Sequence, residues 1–242
     1  MCFPHAGGSA GYFRPLAEAL HGLTEVTAVQ YPGRQARYRE PFARSIAELV
    51  DGMLPEVMTR AGTGSCLLGH SLGSLVAFET ARRMRAEGAP PAVLFVSGSK
   101  APHYHASSPV ASVPELTDAA LLDKLTSLGG TPPEVLRDPA LLNLVLPAVR
   151  ADLGILAEYR HLPAEALGCP IVALVGQCDP WAAIGEAREW AAHTTGRFDL
   201  RVLPGGHFYL GEPDNLLEVA ALVRWHLREI ARQAQSRPPG GQ

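Results

Sequence analysis

The chain has 242 residues, 19% of them charged, and a formal net charge of -3 at pH 7. Acidic and basic residues are mixed along the chain rather than gathered in basic tails, which argues against nucleic acid as a partner. No apolar run approaches the roughly 20 residues of a membrane span, and no basic stretch followed by an apolar one opens the chain. We therefore expect a soluble, cytoplasmic protein that binds neither nucleic acid nor membrane.

The four cysteines are scattered along the chain, and no C-x-x-C pair occurs. Three of them lie in or beside apolar runs of the kind found in buried strands. Such cysteines are usually reduced core thiols rather than disulfides or metal ligands. We expect no metal site from these residues, which are Cys2, Cys66, Cys169 and Cys178.

Short apolar runs alternate with amphipathic stretches through the first half of the chain. Ser45 is a candidate N-cap for one helix, and Gly88 stands where the next helix should stop. The elements predicted here, in chain order, are a strand ending at Phe3, a glycine loop at 4–9, a helix near 12–20, a strand at 24–29, a helix at 45–60, a strand at 65–68 and a helix at 72–87.

The second half repeats the pattern after a long interruption. A continuous apolar run at 92–96 is typical of a strand covered on both faces, as in a parallel sheet. Alternating strands and helices predict an α/β fold with a mostly parallel sheet and helices on both faces. Further predicted elements are strands at 170–175 and 198–203, a helix at 184–192 and a last helix from 215 to about 231 behind the cap candidate Asp214.

The interruption contains helical patterns and no convincing strand. One helix is predicted at 118–128, and a second begins at Pro139 behind the N-cap candidate Asp138. Pro147 should kink or split that second helix. We interpret residues 102–167 as a mobile helical lid over the active site, inserted between two core segments, 1–101 and 168–235; the Pro/Gly-rich residues 236–242 are expected to be disordered.

Residues 69–73, G-H-S-L-G, match the G-x-S-x-G pattern of a nucleophilic serine on a sharp strand-to-helix turn. A serine hydroxyl needs a base to accept its proton and an acid to orient that base. Asp179 and His207 each follow an apolar strand, in the chain order that this fold requires. The sequence therefore predicts that Ser71, Asp179 and His207 meet at the carboxyl edge of the sheet.

The remaining acids and histidines fit structural roles better. His70 is fixed beside Ser71 and should point elsewhere, whereas His5 precedes the serine. The other candidates are a solvated pair (His103, His105), surface or edge residues on helical patterns (His161, His193, His226) and acids outside the required position (Asp152, Asp199, Asp214).

The tetrahedral intermediate of acyl transfer needs two donors aimed at its oxyanion. One is the backbone N–H of Leu72, the residue after the nucleophile. An early strand-to-helix loop supplies the second donor in this fold, and Ala6 in the loop P-H-A-G-G-S at 4–9 is the better candidate. A plain tight turn is the alternative interpretation of the Gly pair.

Five segments together resemble the type II thioesterases of polyketide and nonribosomal peptide synthesis, which have the α/β-hydrolase fold. The segments are F-P-H-A-G-G-S-A at 3–10, Y-P-G-R at 31–34, G-H-S-L-G at 69–73, D-P at 179–180 and G-G-H-F-Y-L at 205–210. The family's triad falls on Ser71, Asp179 and His207, and its oxyanion donors on Ala6 and Leu72. Only Met1 and Cys2 precede the first segment, fewer residues than is usual, so either the first strand is short or the sequence starts internally.

The resemblance implies hydrolysis of acyl or aminoacyl groups from the phosphopantetheine arm of a carrier protein. It implies acyl or peptidyl carrier protein domains as partners, no cofactor and no metal, and we expect a monomer. A basic loop with Arg34, Arg37 and Arg39 is interpreted as solvated rather than as a docking site for an acidic carrier. A general carboxylesterase, an acyltransferase or cyclising enzyme, and a binding module on a hydrolase scaffold remain as alternatives.

Overall fold

The computed structural model describes residues 1–61, 64–107, 116–131 and 133–236. Five strands and eight α-helices are found in this part of the chain. The strands are β1 (Cys2–Phe3), β2 (Cys66–His70), β3 (Val93–Ser97), β4 (Ile171–Gly176) and β5 (Phe198–Leu203). The helices are α1 (Arg14–Ala19), α2 (Ile46–Arg60), α3 (Leu72–Ala86), α4 (Asp118–Leu128), α5 (Pro133–Arg137), α6 (Pro139–Glu158), α7 (Ile184–Arg188) and α8 (Pro213–Ser236).

All neighbouring strands pair in parallel, in the order β1-β2-β3-β4-β5. Their carboxyl ends therefore lie along one edge of the sheet, where α/β proteins place their ligands. β3 and β4 are buried at every position, as the continuous apolar runs predict. The predicted parallel sheet is confirmed.

Alternate residues of each strand enter two separate cores, one on each face of the sheet. In β3, Leu94 and Val96 pack with α2, α3 and α6, whereas Phe95 packs with α1 and α8. This alternation follows from the two-residue repeat of a strand. Helices on both faces are therefore required to bury the sheet.

One predicted strand does not form. Residues 24–29 contribute a single bridge, between Ala28 and Cys2, with hydrogen bonds from Cys2 N to Thr27 O (2.8 Å) and from Val29 N to Cys2 O (2.8 Å). The partner strand at this bridge, β1, has two residues. A ladder cannot extend beyond its partner, so the apolar alternation of 24–29 was not sufficient to make a strand.

The helices agree closely with the predictions. Ser45 Oγ accepts a hydrogen bond from Glu48 N (3.0 Å) and caps α2, and Asp138 Oδ1 accepts from Ala140 N (2.8 Å) and caps α6. Pro147 was expected to kink or split this helix; it lies inside α6, which continues through it without a split. Proline has no N–H to donate to the helix carbonyl four residues earlier. Because Pro147 is exposed, water can hydrogen-bond to that carbonyl instead. The last helix begins before the cap candidate Asp214, at Pro213.

Residues 102–167 contain α4, α5 and α6 and no strand in the part of this range that the structure describes. By length and composition alone, α6 could span a membrane, with a mean hydropathy of 1.6. Its buried face, however, belongs to the core that also contains α2 and α3. Of the segment 236–242 expected to be disordered, residues 237–242 lie outside the described residues.

Candidate active site

Ser71 stands at the sharp turn between β2 and α3. Its φ of 56° and ψ of -121° are unusual for a residue with a side chain. The surrounding structure maintains this strain, since Ser71 N donates to Ser97 O at the end of the neighbouring strand (2.7 Å). The turn raises the hydroxyl at the carboxyl edge of the sheet, where it is partly exposed.

The two glycines of the G-H-S-L-G segment are required by close backbone contacts. A Cβ on Gly69 would lie 2.0 Å from Gly73 O, and a Cβ on Gly73 would lie 1.9 Å from Phe3 O. Neither position has room for a methyl group, because the obstructing atoms belong to the backbone. The pattern recognised in the sequence is thus the packing requirement of α3 against β1 and β2.

The predicted acid and base meet Ser71 in one hydrogen-bonded chain. His207 Nε2 lies 3.0 Å from Ser71 Oγ, and His207 Nδ1 lies 2.9 Å and 3.0 Å from the two carboxylate oxygens of Asp179. The side chains of His207 and Asp179 are 3% and 0% exposed, so the carboxylate is shielded from water. With Nδ1 donating to Asp179, Nε2 is left free to accept the serine proton.

Asp179 is fixed in orientation by its own loop. Its Oδ1 accepts hydrogen bonds from the backbone N–H groups of Trp181 (2.8 Å) and Ala182 (3.3 Å). The loops that carry the acid and the base are in direct contact, since a Cβ on Gly176 would lie 2.2 Å from Gly206 O. The ends of β4 and β5 therefore place the carboxylate and the imidazole side by side.

The two predicted oxyanion donors are both available. Leu72 is the first residue of α3, and N–H groups in the first turn of a helix have no partner within it. Among the described residues, none accepts a hydrogen bond from the N–H of Ala6. The neighbouring peptides of that loop are bonded, with Gly8 N donating to His5 O (2.9 Å) and His5 Nδ1 to Ala6 O (2.9 Å).

A second histidine ring, that of His70, lies beside His207, with 5.2 Å between the ring centroids. His70 Nδ1 is 2.8 Å from Ser97 Oγ, which is 2.5 Å from Tyr209 OH. Burial, with a smaller contribution from the nearby His207, lowers the pKa of His70 well below its usual value. His70 is therefore neutral at neutral pH, and it adds no positive charge beside the imidazole that must accept a proton.

A cavity of about 310 Å³ opens onto Ser71 and His207. Its wall combines apolar groups with charged ones, and it includes both lysines of the chain. Besides Ser71 and His207, the cavity is lined by Gly98, Ser99, Lys100, His105, Lys124, Leu156, Pro180, Trp181 and Glu186. Lys124 and Leu156 belong to α4 and α6, so residues 102–167 contribute directly to the wall of this cavity.

Several residues interpreted as solvated are in fact buried. Arg34, assigned to a solvated basic loop, is 7% exposed and ion-paired with Asp152 of α6 at 2.5 Å. His105, expected in a solvated pair, and His193 and His226, expected at the surface or an edge, are all less than a tenth exposed. In each case a sequence pattern identified the local element and not what covers it.

Sequence reasoning also missed the two lysines of the cavity wall. Lys100 and Lys124 are 24 positions apart and follow no recognised motif. Their rarity was the available signal, because the chain otherwise carries its positive charge almost entirely on arginine. All four cysteines are free thiols, and no cluster of His, Cys, Asp and Glu suited to a metal occurs within residues 1–61, 64–107, 116–131 and 133–236.

Similar proteins share this architecture and much of this sequence. Residues 1–225 match the thioesterase domain family. The chain is 44% identical over 214 residues to thioesterase PikA5 of Streptomyces venezuelae, covering 88% of this chain and 75% of that protein. It is 38% identical over 222 residues to thioesterase TesA of Mycobacterium marinum, covering 90% of this chain and 86% of that protein.

Solved structures of similar proteins extend the comparison to three dimensions. The type II thioesterase BorB of the borrelidin biosynthetic cluster superimposes with a TM-score of 0.86 at 40% identity, covering 93% of this chain and 91% of that one. RedJ, a thioesterase of the prodiginine pathway in Streptomyces coelicolor, gives 0.85 at 35% identity, covering 93% and 84%. The predicted α/β-hydrolase fold is confirmed, and the chain belongs to the thioesterase family.

Proposed function

We propose that this chain is a type II thioesterase that hydrolyses acyl or aminoacyl thioesters from the phosphopantetheine arm of carrier proteins and so removes stalled or wrong units from a synthase. The observation that carries the proposal is the hydrogen-bonded chain of Ser71, His207 and Asp179 at the mouth of the cavity. The similarity to BorB and RedJ, both from biosynthetic pathways, supports the substrate class.

The first half of the reaction transfers the acyl group to Ser71. Ser71 Oγ attacks the thioester carbonyl carbon while His207 Nε2 accepts the hydroxyl proton, and Asp179 stabilises the imidazolium that forms. The N–H groups of Ala6 and Leu72 donate to the resulting oxyanion. The carbon–sulfur bond then breaks, and the departing pantetheine sulfur takes the proton from His207 Nε2 and leaves as a thiol, which returns the imidazole to its neutral form.

The second half releases the acyl group as a free acid. Water attacks the acyl-serine ester while His207 Nε2 accepts its proton, and the same two N–H groups stabilise the second oxyanion. The proton on His207 returns to Ser71 Oγ as the ester bond breaks. The cycle uses the chain's own residues and requires no cofactor or metal.

We further propose that residues 102–167 act as a lid and that the enzyme works as a cytoplasmic monomer. The contribution of α4 and α6 to the cavity wall supports the lid. An acidic carrier protein remains the proposed partner, but Arg34 is not part of its docking surface, because it is buried against Asp152.

Replacement of the nucleophile tests the proposal. Ser71→Ala should abolish release of propionyl and longer acyl groups from an acylated carrier protein and leave thermal unfolding unchanged. Release is followed by mass spectrometry as the conversion of the acylated carrier to its holo form. Ser99→Ala is the matched control, because Ser99 lines the same cavity and its hydroxyl bonds to Lys100 O rather than to His207. Undiminished turnover by Ser71→Ala would reject the assignment of the nucleophile.

The alternative activities differ in substrate and product. A general carboxylesterase would hydrolyse simple oxygen esters at least as well as matched carrier thioesters, whereas the proposed enzyme should prefer the thioester. An acyltransferase or cyclising enzyme would yield an ester or ring instead of free acid. Product analysis with one acyl chain presented in both forms separates these reactions.

A further inference from the structure

Three side chains anchor the loop that carries Ala6. Tyr31 OH donates to Pro4 O (3.2 Å), Arg34 Nη1 donates to Gly8 O (3.3 Å), and Asp152 Oδ2 accepts from Gly7 N (2.7 Å). These contacts fall on both sides of Ala6. The loop is therefore held by groups from two distant parts of the chain, residues 31–34 and α6.

Arg34 and Asp152 are joined by a two-pronged ion pair. Arg34 Nη1 lies 2.5 Å from Asp152 Oδ2 and Nη2 lies 2.8 Å from Oδ1. Their side chains are 8% and 2% exposed, so neither charge has much access to water. A buried pair of this geometry retains its position, because separating the two charges in a low-dielectric interior is unfavourable. We call Arg34 and Asp152 the clamp.

Helix α6 also packs directly on the loop. A Cβ placed on Gly7 would lie 2.3 Å from Val149 Cγ2, and Gly7 has a φ of +72°. Val149 and Asp152 are three residues apart and share one face of α6. Gly7 therefore packs against the Val149 side chain and bonds to the Asp152 carboxylate on the same face of α6.

The bonds of the clamp act on the Ala6 N–H through the two residues that follow it, Gly7 and Gly8. The peptide between Ala6 and Gly7 is planar, and both of its polar groups are bonded, Ala6 O to His5 Nδ1 and Gly7 N to Asp152. The preceding peptide has His5 O bonded to Gly8 N, which leaves the Ala6 N–H on its opposite side. Asp152 holds Gly7 and Arg34 holds Gly8, the residue whose N–H bonds His5 O, so loss of the clamp loosens the turn that sets the direction of the Ala6 N–H.

We propose that Arg34 and Asp152 are positioning residues that hold the Ala6 N–H in place as an oxyanion donor. Neither side chain touches the substrate; both act through the loop at residues 4–8. The inference rests on the proposed function, because it assigns a role within that acyl transfer. It also makes α6 part of the catalytic apparatus and not only a wall of the cavity.

The variant Asp152→Asn tests the clamp with almost no change in shape. Its amide must turn its NH₂ group toward either Gly7 N–H or Arg34, and each orientation sets two donors against each other. We expect kcat per active site to fall on the order of 100-fold, the effect of an ångström-scale displacement of a catalytic group. KM should stay within about threefold. Counting active sites by complete fluorophosphonate labelling of Ser71 removes any loss of folded protein from the comparison.

A transition-state analogue separates positioning from a merely structural role. An alkyl trifluoromethyl ketone forms a hemiketal with Ser71 whose oxyanion occupies the donor site, so its Ki should rise in proportion to the loss in kcat. The thioether of the same chain has no carbonyl and should bind as before. The pH profile of kcat should also keep its midpoint, because the bonds of His207 to Ser71 and Asp179 are unaltered.

Asp51→Asn is the matched control, since it removes the same charge from an exposed pair with Arg83 (2.7 Å). It should leave every readout unchanged. A kcat per site within twofold of the parent enzyme for Asp152→Asn, or an unchanged ketone Ki beside a reduced kcat, would overturn the clamp. Such results with an active parent enzyme reject the clamp alone, whereas a parent enzyme inactive on all acyl thioesters rejects the proposed function.

Discussion

Replacing Asp179 by asparagine should inactivate the enzyme by changing which nitrogen of His207 carries the proton. Asp179 Oδ1 accepts two backbone N–H groups, from Trp181 and Ala182, so the asparagine amide must keep its oxygen there. Its NH₂ group then occupies the Oδ2 position, 2.9 Å from His207 Nδ1. Nδ1 has to accept from that NH₂, which places the imidazole proton on Nε2, facing Ser71.

An imidazole with its proton on Nε2 cannot accept the proton of Ser71. The loss of the base and of the buried carboxylate's charge corresponds to a fall in kcat of roughly 10⁴-fold, as for the equivalent change in a chymotrypsin-like triad. This is about 5 kcal/mol of transition-state stabilisation at 1.36 kcal/mol per factor of ten. KM should change little, because the carboxylate does not contact substrate.

The assay is steady-state hydrolysis of an acyl-pantetheine thioester, followed by thiol release, together with thermal unfolding of each variant. Asp199→Asn is a suitable control, since Asp199 lies on β5 and pairs with Arg197 (2.8 Å) away from the cavity. A kcat for Asp179→Asn within tenfold of the parent enzyme, with a native melting temperature, would refute the tautomer argument. Equal losses in both variants would point to a general effect on the sheet.

Two further predictions concern stability. Gly73→Ala forces a Cβ to within 1.9 Å of Phe3 O and should lower the free energy of unfolding by about 3 kcal/mol, as overpacking does. Gly211 has open space around it, so Gly211→Ala should leave the free energy of unfolding unchanged. Equal denaturant midpoints for the two variants would contradict this account. Burial, followed by the nearby charge of Lys100, lowers the pKa of His105 from 6.5 to about 4. The contribution of His105 to the free energy of unfolding is complete above about pH 6.5 and declines toward pH 4, because the unfolded chain takes up a proton that the folded chain does not. The loss amounts to about 2 kcal/mol at pH 5. Urea unfolding at about pH 6.5 and pH 5 should show a smaller difference in the free energy of unfolding for His105→Gln than for the parent protein. An identical difference would refute the assignment of this pH dependence to His105.

The meeting of Ser71, Asp179 and His207 could be predicted because the sequence signals of all three residues are local. Ser71 lies in a pentapeptide whose two glycines are required by close backbone contacts. Asp179 and His207 each come shortly after the end of a strand. Parallel strands end at one edge, so three local signals were enough to predict a meeting point. Their convergence needed no knowledge of side-chain packing.

Partners across the fold left no such local signal. Arg34 and Asp152 are 118 positions apart, and nothing around either residue indicates the other. Residues 24–29 failed as a strand for a related reason, because the length of a ladder depends on its partner as well as on its own pattern. Burial of His105 likewise depends on elements far along the chain. What the sequence could not reveal is which surfaces come together.

The position of α6 links acyl recognition to chemistry. Leu156 of this helix lines the cavity, while Asp152, one turn earlier, holds the Ala6 loop. On the proposed role of the clamp, an acyl chain that displaces α6 also displaces the proposed oxyanion donor, the Ala6 N–H. Chains that fit the cavity poorly should for this reason lose kcat and not only affinity, since a misplaced donor weakens the transition state more than the ground state. Selectivity among acyl groups would then be expressed in the chemical step, through a helix outside the catalytic triad.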